Sequence, residues 1–400
     1  MTGNDARYSI SSAQIDETHV CIIWGDGHMS RFHPMWLRHQ CECEVCGSPL
    51  DALRGVRLHH LPETVMPQNL EVTEDGIALA WVHDGHRSRY QATWLRDHCY
   101  SPEERALRKH QPILWDGTIE SDPPTADYDA ARASDAVRLK MLEAVRDYGF
   151  CKIVGVPPDQ AHSQNLIELV GMQRQTHYGT YTLAKRKAVD NVGDNSDPLD
   201  PHQDETYRLS AVGITVFQVL HPSSNGGHST LVDGYEAVRR LRDQAPEDFE
   251  LLTKLPITGQ RLDRARNSGG NQRFLSAKMP IIKLDFDGDV AGLRLNERQI
   301  APLDMPGELI GPCYRALKRL FEFVYDPDLV VTFPLQAGEG LLFDNHRVLH
   351  GRTGFVPEDP PRAVLTSSVD LEEFHSTMRT LEMAAGKQGP LMQFAQGVVS

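Results

Sequence analysis

His202, Asp204 and His350 are residues whose types and order suit one divalent metal ion. Two imidazoles and a carboxylate can occupy one face of an octahedral Fe(II), leaving positions open for a co-substrate and O2. A close His-x-Asp pair followed much later by a single histidine is expected when the donors sit on two strands of one barrel. His346, four residues before His350, is the rival for the distal place. Arg362 opens the run Arg362-Ala363-Val364-Leu365-Thr366. A guanidinium there could pair bidentately with the far carboxylate of 2-oxoglutarate. An isolated His-x-Asp is usually an ordinary polar loop; the ordered set with the later arginine gives it weight. Side chains on a strand alternate with a period of two, so His202 and Asp204 are expected on one side of one strand, with His350 on an opposing strand.

A second constellation lies near the amino terminus. Cys41-Glu42-Cys43-Glu44-Val45-Cys46 puts three thiols on a tight turn. Structural zinc commonly takes three cysteines and one histidine in a tetrahedron. His39, His28 and His86 are the histidines that could complete the set. The chain has seven cysteines, three of them within six positions, which does not look like a disulfide framework.

These residues need elements to hold them. Asp26-Gly27-His28 precedes Trp36-Leu37-Arg38 and Cys41, and Asp84-Gly85-His86 precedes Trp94-Leu95-Arg96 and Cys99, with the same internal spacing. Each copy reads as a strand, an Asp-Gly turn, a second strand and a short helix. The polar, turn-rich stretch Trp115–Pro124 is the best linker, which divides the chain into a small β-rich zinc-binding domain (1–120) and a catalytic domain (121–400). Helical spacing covers 131–148, 164–173, 235–254 and 311–325, and strand-like runs cover 150–154, 214–220, 281–286, 329–333, 340–343 and 363–366. Many strands with a few outer helices predict a mainly β architecture, a double-stranded β-helix or jelly roll.

Three segments carry a family resemblance: Pro201-His202-Gln203-Asp204-Glu205-Thr206-Tyr207-Arg208, Phe343–Arg352, and Gly226–Gly234. They resemble the γ-butyrobetaine hydroxylase and trimethyllysine dioxygenase family over nearly the whole chain. That resemblance implies an Fe(II)- and 2-oxoglutarate-dependent oxygenase that hydroxylates a small trimethylammonium compound, releasing succinate and CO2. It implies His350 rather than His346 as third iron ligand, and His86 as fourth zinc ligand. It also implies Arg362 with Ser229, or neighbouring Thr230, at the 2-oxoglutarate carboxylate. For the substrate it implies a cationic cage at Tyr178, with Tyr181 one position from a second aromatic, and Asp194 where the family carries tyrosine. Tyr207 joins these candidates. Asn191 and Asn296 resemble polar anchors for the anionic end, and Arg298 is a further cation there. A trimethylammonium group donates no hydrogen bond, so aromatic faces or a carboxylate must hold it. γ-Butyrobetaine, its phosphonate analogue 2-(trimethylamino)ethylphosphonate and trimethyllysine all suit this reading. The resemblance also implies a homodimer. The alternative is a zinc-dependent binding module with an inactive barrel.

The 400 residues suffice for two domains, and 40% hydrophobic content suffices for a core. The formal charge of -14 disfavours nucleic acid and anionic membranes as partners. No apolar stretch has the length of a membrane span or the pattern of a signal peptide, so a cytoplasmic protein is expected.

Overall fold

The computed structural model describes residues 3–48, 54–175, 196–263, 272–358 and 360–386, together with the backbone of 181–184. The chain divides into two compact units between Lys109 and His110. In the first, helix α1 (Gly3–Tyr8) leads into two copies of one motif. Strands β1 (Ile10–Ile15), β2 (Val20–Trp24) and β3 (Met29–Phe32) form an antiparallel sheet in that order and pass into α2 (Pro34–His39). Strands β4 (Pro67–Val72), β5 (Gly76–Trp81) and β6 (Arg87–Gln91) repeat the arrangement and pass into α3 (Ala92–Asp97), followed by α4 (Pro102–Arg108). The turns lie where Asp-Gly demands them, with Gly27 and Gly85 at φ of 84° and 67°. The sequence showed two strands per copy; the structure adds a third. Matched residues from both copies, Trp24 with Trp81, Phe32 with Tyr90 and Leu37 with Leu95, share one buried core.

The second unit begins with a turn at Gly117–Ser121 and β7 (Thr125–Asp127), α5 (Tyr128–Ala133), α6 (Asp135–Tyr148), β8 (Phe150–Val154) and α7 (Gln160–Val170). Strands β9 (Tyr181–Ala184), β10 (Leu199–His202), β11 (Ile214–His221) and β12 (Ser229–Asp233) follow, then α8 (Gly234–Gln244) and α9 (Pro246–Lys254). Two hairpins come next, β13 (Pro256–Asp263) with β14 (Arg273–Pro280) and β15 (Ile282–Leu284) with β16 (Val290–Leu293). The chain continues through α10 (Gly307–Val324), β17 (Val331–Phe333), β18 (Gly340–Asp344), β19 (Val348–Arg352), β20 (Ala363–Val369) and α11 (Leu371–Ala384).

Among the described residues, two sheets carry the unit. One runs β10-β19-β12-β17, the other β7-β8-β18-β11-β20-β9. Leu231, Val331, Phe333 and Val348 of the first pack with Phe150, Val219, Leu341, Phe343 and Val364 of the second in one buried cluster, so the sheets face each other as a jelly roll. Alternation sends Leu342 of β18 the other way, onto α6, α7 and α11, and sends Val232 and Leu349 onto α8, α9 and α10. Each such fully buried side chain contributes roughly 1.5–3 kcal/mol.

Some expected elements change at their ends. The helix anticipated over 131–148 is interrupted at Ser134, whose hydroxyl accepts from Val137 N and caps α6. The helix anticipated over 235–254 is two helices, because Pro246 has no N–H to continue the ladder. The stretch read as a linker is packed into the second unit. Trp115 is buried with its indole N–H donating to Tyr148 O at 2.6 Å, and Gly117 N donates to Asp328 O. No described helix is long and apolar enough to cross a membrane.

Candidate active site

His202 and His350 are direct partners across the antiparallel pair β10–β19. The distal histidine therefore comes from an adjacent strand of the same sheet, not from an opposing one. His350 shares the inward parity of Val348 and lies against Phe343 and Phe217, with ring centroids 4.8 and 5.5 Å away. Asp204 is not on a strand either: β10 ends at His202, and Asp204 opens the turn that follows. The turn is clamped. Asn345 Oδ1 accepts from Asp204 N at 2.8 Å, and Asn345 Nδ2 donates to Asp204 O at 3.1 Å. Gln203, 1% exposed, is held by Leu295 N and donates to Asn345 O. Glu205 then takes a φ of 55°, the single positive value among described non-glycine residues.

The donor atoms converge. Asp204 Oδ1 lies 3.6 Å from His202 Nε2, and Oδ2 lies 3.7 Å from His350 Nε2. Those distances exceed hydrogen-bond reach but suit donors that share a cation. His202 Nδ1 lies 2.9 Å from Asp200 O, which fixes the proton there and leaves Nε2 free to bind metal. Burial, and then His202, pushes His350 down to about 3, keeping it a neutral ligand. Burial works against charge on Asp204, but His350 and His202 outweigh it and hold the carboxyl below its ordinary range. The three residues thus fit a facial-triad metal site. His346 stands apart from them against Gly292.

Arg362, 8% exposed, donates from Nε to Gly227 O at 3.1 Å. It lines a recess of about 30 Å³ with Gly226, Gly227, His228 and Ser229. Burial, and then Arg352, lowers Arg362 to about 10, so this pair of cations favours an anion. Ser229 faces that recess, whereas Thr230 has the opposite parity and lies over Gly351. Asn296 is buried, donating from Nδ2 to Gln203 O at 3.0 Å, with its Oδ1 unpartnered among the described residues. Arg298 is exposed on the turn Glu297–Gln299, near enough for its charge to act on His350. Tyr207 is buried beneath the Arg261 guanidinium, 5.9 Å from the ring centroid. Tyr178, Asn191, Asp194 and the side chain of Tyr181 lie outside the described residues.

Arg261, Gln203 and Asn345 were given no role by sequence reasoning. Arg261 sits on β13, and its charge acts on Asp204. Nothing local marks it, because the hairpin brings it to the site from far along the chain. The second and third were inside the motif runs, where Gln203's place between two metal donors was the available signal.

In the first unit, His86 Nε2 lies 3.5, 3.7 and 3.6 Å from the Sγ atoms of Cys41, Cys43 and Cys46. Metal–ligand lengths of about 2.3 Å to sulfur and 2.0–2.1 Å to nitrogen at tetrahedral angles imply a separation of about 3.6 Å. The cluster therefore fits zinc. Arg38, 6% exposed, donates to Cys46 Sγ at 3.4 Å and supports the thiolate set. His39 is engaged by Arg54, and His28 points elsewhere.

Comparison with known proteins agrees with this geometry. The family model described as "Taurine catabolism dioxygenase TauD, TfdA family" matches residues 84–367, and that described as "Gamma-butyrobetaine hydroxylase-like, N-terminal" matches residues 12–88. A γ-butyrobetaine dioxygenase from Pseudomonas sp. (strain AK-1) is 30% identical over 93% of this chain and 96% of its own. A trimethyllysine dioxygenase from Meyerozyma guilliermondii is 27% identical over 94% of this chain and 96% of its own, and the human γ-butyrobetaine dioxygenase 25% identical over 85% and 88%. The chain belongs to the TauD/TfdA family of Fe(II)- and 2-oxoglutarate-dependent dioxygenases, in the group that includes γ-butyrobetaine and trimethyllysine dioxygenases.

Proposed function

We propose that the protein hydroxylates an unactivated C–H bond of a small trimethylammonium zwitterion, with γ-butyrobetaine or its phosphonate analogue as the substrate type. His202, Asp204 and His350 hold Fe(II), and Arg362 with Ser229 receives the distal carboxylate of 2-oxoglutarate. The iron and 2-oxoglutarate supply the oxidising chemistry when bound, with succinate and CO2 as by-products. The chain's own residues do the positioning. Asp200 O fixes the His202 tautomer, Asn345 fixes the Asp204 turn, and Phe217 with Phe343 keeps water from His350.

The observation that carries the substrate reading is the pair of cations around the donor face, Arg261 on the hairpin arm and Arg298 on the turn. Both suit an anionic pole on the substrate, and a doubly charged phosphonate uses two arginines better than a carboxylate does. Tyr178, Tyr181 and Asp194 supply aromatic faces and charge for the cationic pole, whereas Tyr207 lies beneath Arg261 on the anionic side. Trimethyllysine is the second reading, supported by the relatives that carry that name.

The test is succinate formation by Fe(II)-loaded protein given 2-oxoglutarate and either γ-butyrobetaine, 2-(trimethylamino)ethylphosphonate or trimethyllysine. Stimulation by one of them, with a product heavier by one oxygen, establishes the reaction and its substrate. Turnover that none of the three stimulates discards the trimethylammonium reading while leaving the cofactor chemistry intact.

A further inference from the structure

The two copies in the first unit are related residue by residue far beyond their sequence motif. Trp24 Nε1 donates to Ser30 Oγ at 2.8 Å, and Trp81 Nε1 to Ser88 Oγ at 2.8 Å. His28 N donates to Asp26 Oδ1 at 3.0 Å, and His86 N to Asp84 Oδ1 at 3.0 Å. Arg38 Nη2 crosses to Asp84 Oδ2 at 2.8 Å, and Arg96 Nη2 crosses to Asp26 Oδ2 at 2.8 Å. Each arginine reaches into the opposite copy, as an internal two-fold requires.

That symmetry extends to the metal ligands. His86 meets Cys41 at 3.5 Å, and His28 meets Cys99 at 3.6 Å. The same chain offset that carries Cys41 to Cys99 carries Cys43 to Ser101 and Cys46 to Glu104. Arg38 donates to Cys46 Sγ, and Arg96 pairs with Glu104 Oε1 at 2.8 Å. The second position thus keeps one thiol and one imidazole at metal-ligand spacing, but its other two donors are a hydroxyl and a carboxylate. Ser101 Oγ accepts from Glu104 N at 3.2 Å and caps α4, which replaces the cysteine-bearing turn of the first copy. Glu104 is 2% exposed, and a buried carboxylate needs a cation. Arg96 is buried with it, and the partly exposed Arg7 of α1 adds a second cation, with Nη2 2.6 Å from Glu104 Oε2. Tyr8 beside it donates to Asp97 Oδ1 at 2.9 Å, docking α1 on the second copy.

We propose that the first unit is a duplicated metal-binding module whose second site has exchanged its metal ion for an ion-pair cluster, with Glu104 in place of the third thiolate and the Arg7 guanidinium, added to the Arg96 that matches Arg38, in place of the cation. One half of the unit is then held by zinc and the other by charge that no chelator removes. The inference is independent of the oxygenase substrate.

Restoring the ligands tests it. In the full-length protein, Ser101→Cys and Glu104→Cys combined with Arg7→Met remove the ion pair and give Cys99 and His28 the two further thiols of a complete set. Elemental analysis should find a second equivalent of zinc per chain, and Co(II) exchange should raise the thiolate charge-transfer absorbance roughly two-fold. A folded variant that keeps the first zinc and takes up no second overturns the proposal. Should the triple variant fail to fold, two single variants decide. Arg7→Met should lower Tm by a few °C with zinc content unchanged, and an unaltered Tm overturns the exchange. Cys99→Ser should keep its full zinc content, whereas loss of zinc would mean that the second site holds metal in the native protein and that no exchange took place.

Discussion

Gln203 and Asn345 govern the iron face although neither offers it a ligand. Asp204 lies in a turn, so its carboxylate is aimed by backbone bonds that Asn345 makes to both its N–H and its carbonyl. Asn345→Leu should weaken metal binding by about 10–100-fold with the fold retained, measured by titrating Mn(II) into the apoprotein; an unchanged affinity would remove Asn345 from this role. The choice between the two distal histidines is sharper. His350→Ala should abolish substrate-stimulated succinate release, while His346→Ala, whose ring stands against Gly292, should keep most of it. Full activity in His350→Ala would reverse the assignment. The candidate donors that the structure brings together were legible in the sequence because metal ligands have few chemical substitutes. Their clamps were not, because glutamine and asparagine serve equally well as surface residues.

The elements show where pattern reading succeeds and where it runs out. Strands such as β11, β18 and β20 announce themselves through runs of buried β-branched and apolar residues. Strand β19 carries His350, yet its sequence Val348-Leu349-His350-Gly351-Arg352 has no period of two, because every position is buried on one face or the other. The hairpin β13–β14 was missed for the opposite reason: its positions are mostly half-exposed. The turn before β12 has its own constraint. Gly227 has a φ of 71°, and a Cβ there would come within 2.9 Å of Arg362 Cδ and Nε. Gly227→Ala should therefore displace the guanidinium and raise the KM for 2-oxoglutarate about 10-fold, with a smaller effect on the KM for the substrate that is hydroxylated. Equal KM values in variant and parent would show that Arg362 does not depend on this turn.

Taken whole, the molecule joins a unit stabilised partly by a Cys41, Cys43, Cys46 and His86 cluster to a β sandwich sheathed in helices. A small β module has little core, so Cys43→Ser should lower both zinc content and thermal stability while leaving succinate release per folded, iron-loaded chain unchanged. Retention of full zinc content by that variant would count against the cluster. Acid should attack the second unit. Burial, with Arg294 and Lys283, pushes His346 down to about 4, and burial, with Arg379 and His346, pushes His375 down to about 3. Both fall below the ordinary 6.5, so the unfolded chain binds these protons first. Their contribution is present above about pH 6.5 and lost as pH falls towards 4 and 3. His346→Gln/His375→Gln should shift the acid-unfolding midpoint to lower pH, and an unmoved midpoint would assign acid sensitivity to other groups. The division between sheet and hairpin also bears on descent. The metal donors ride on β10, β19 and the clamped turn, whereas Arg261 rides on the arm and Arg298 on a surface turn. On the proposed reading of Arg261 and Arg298, a lineage could then exchange one substrate for another by rewriting a hairpin and a turn, with its metal centre inherited untouched.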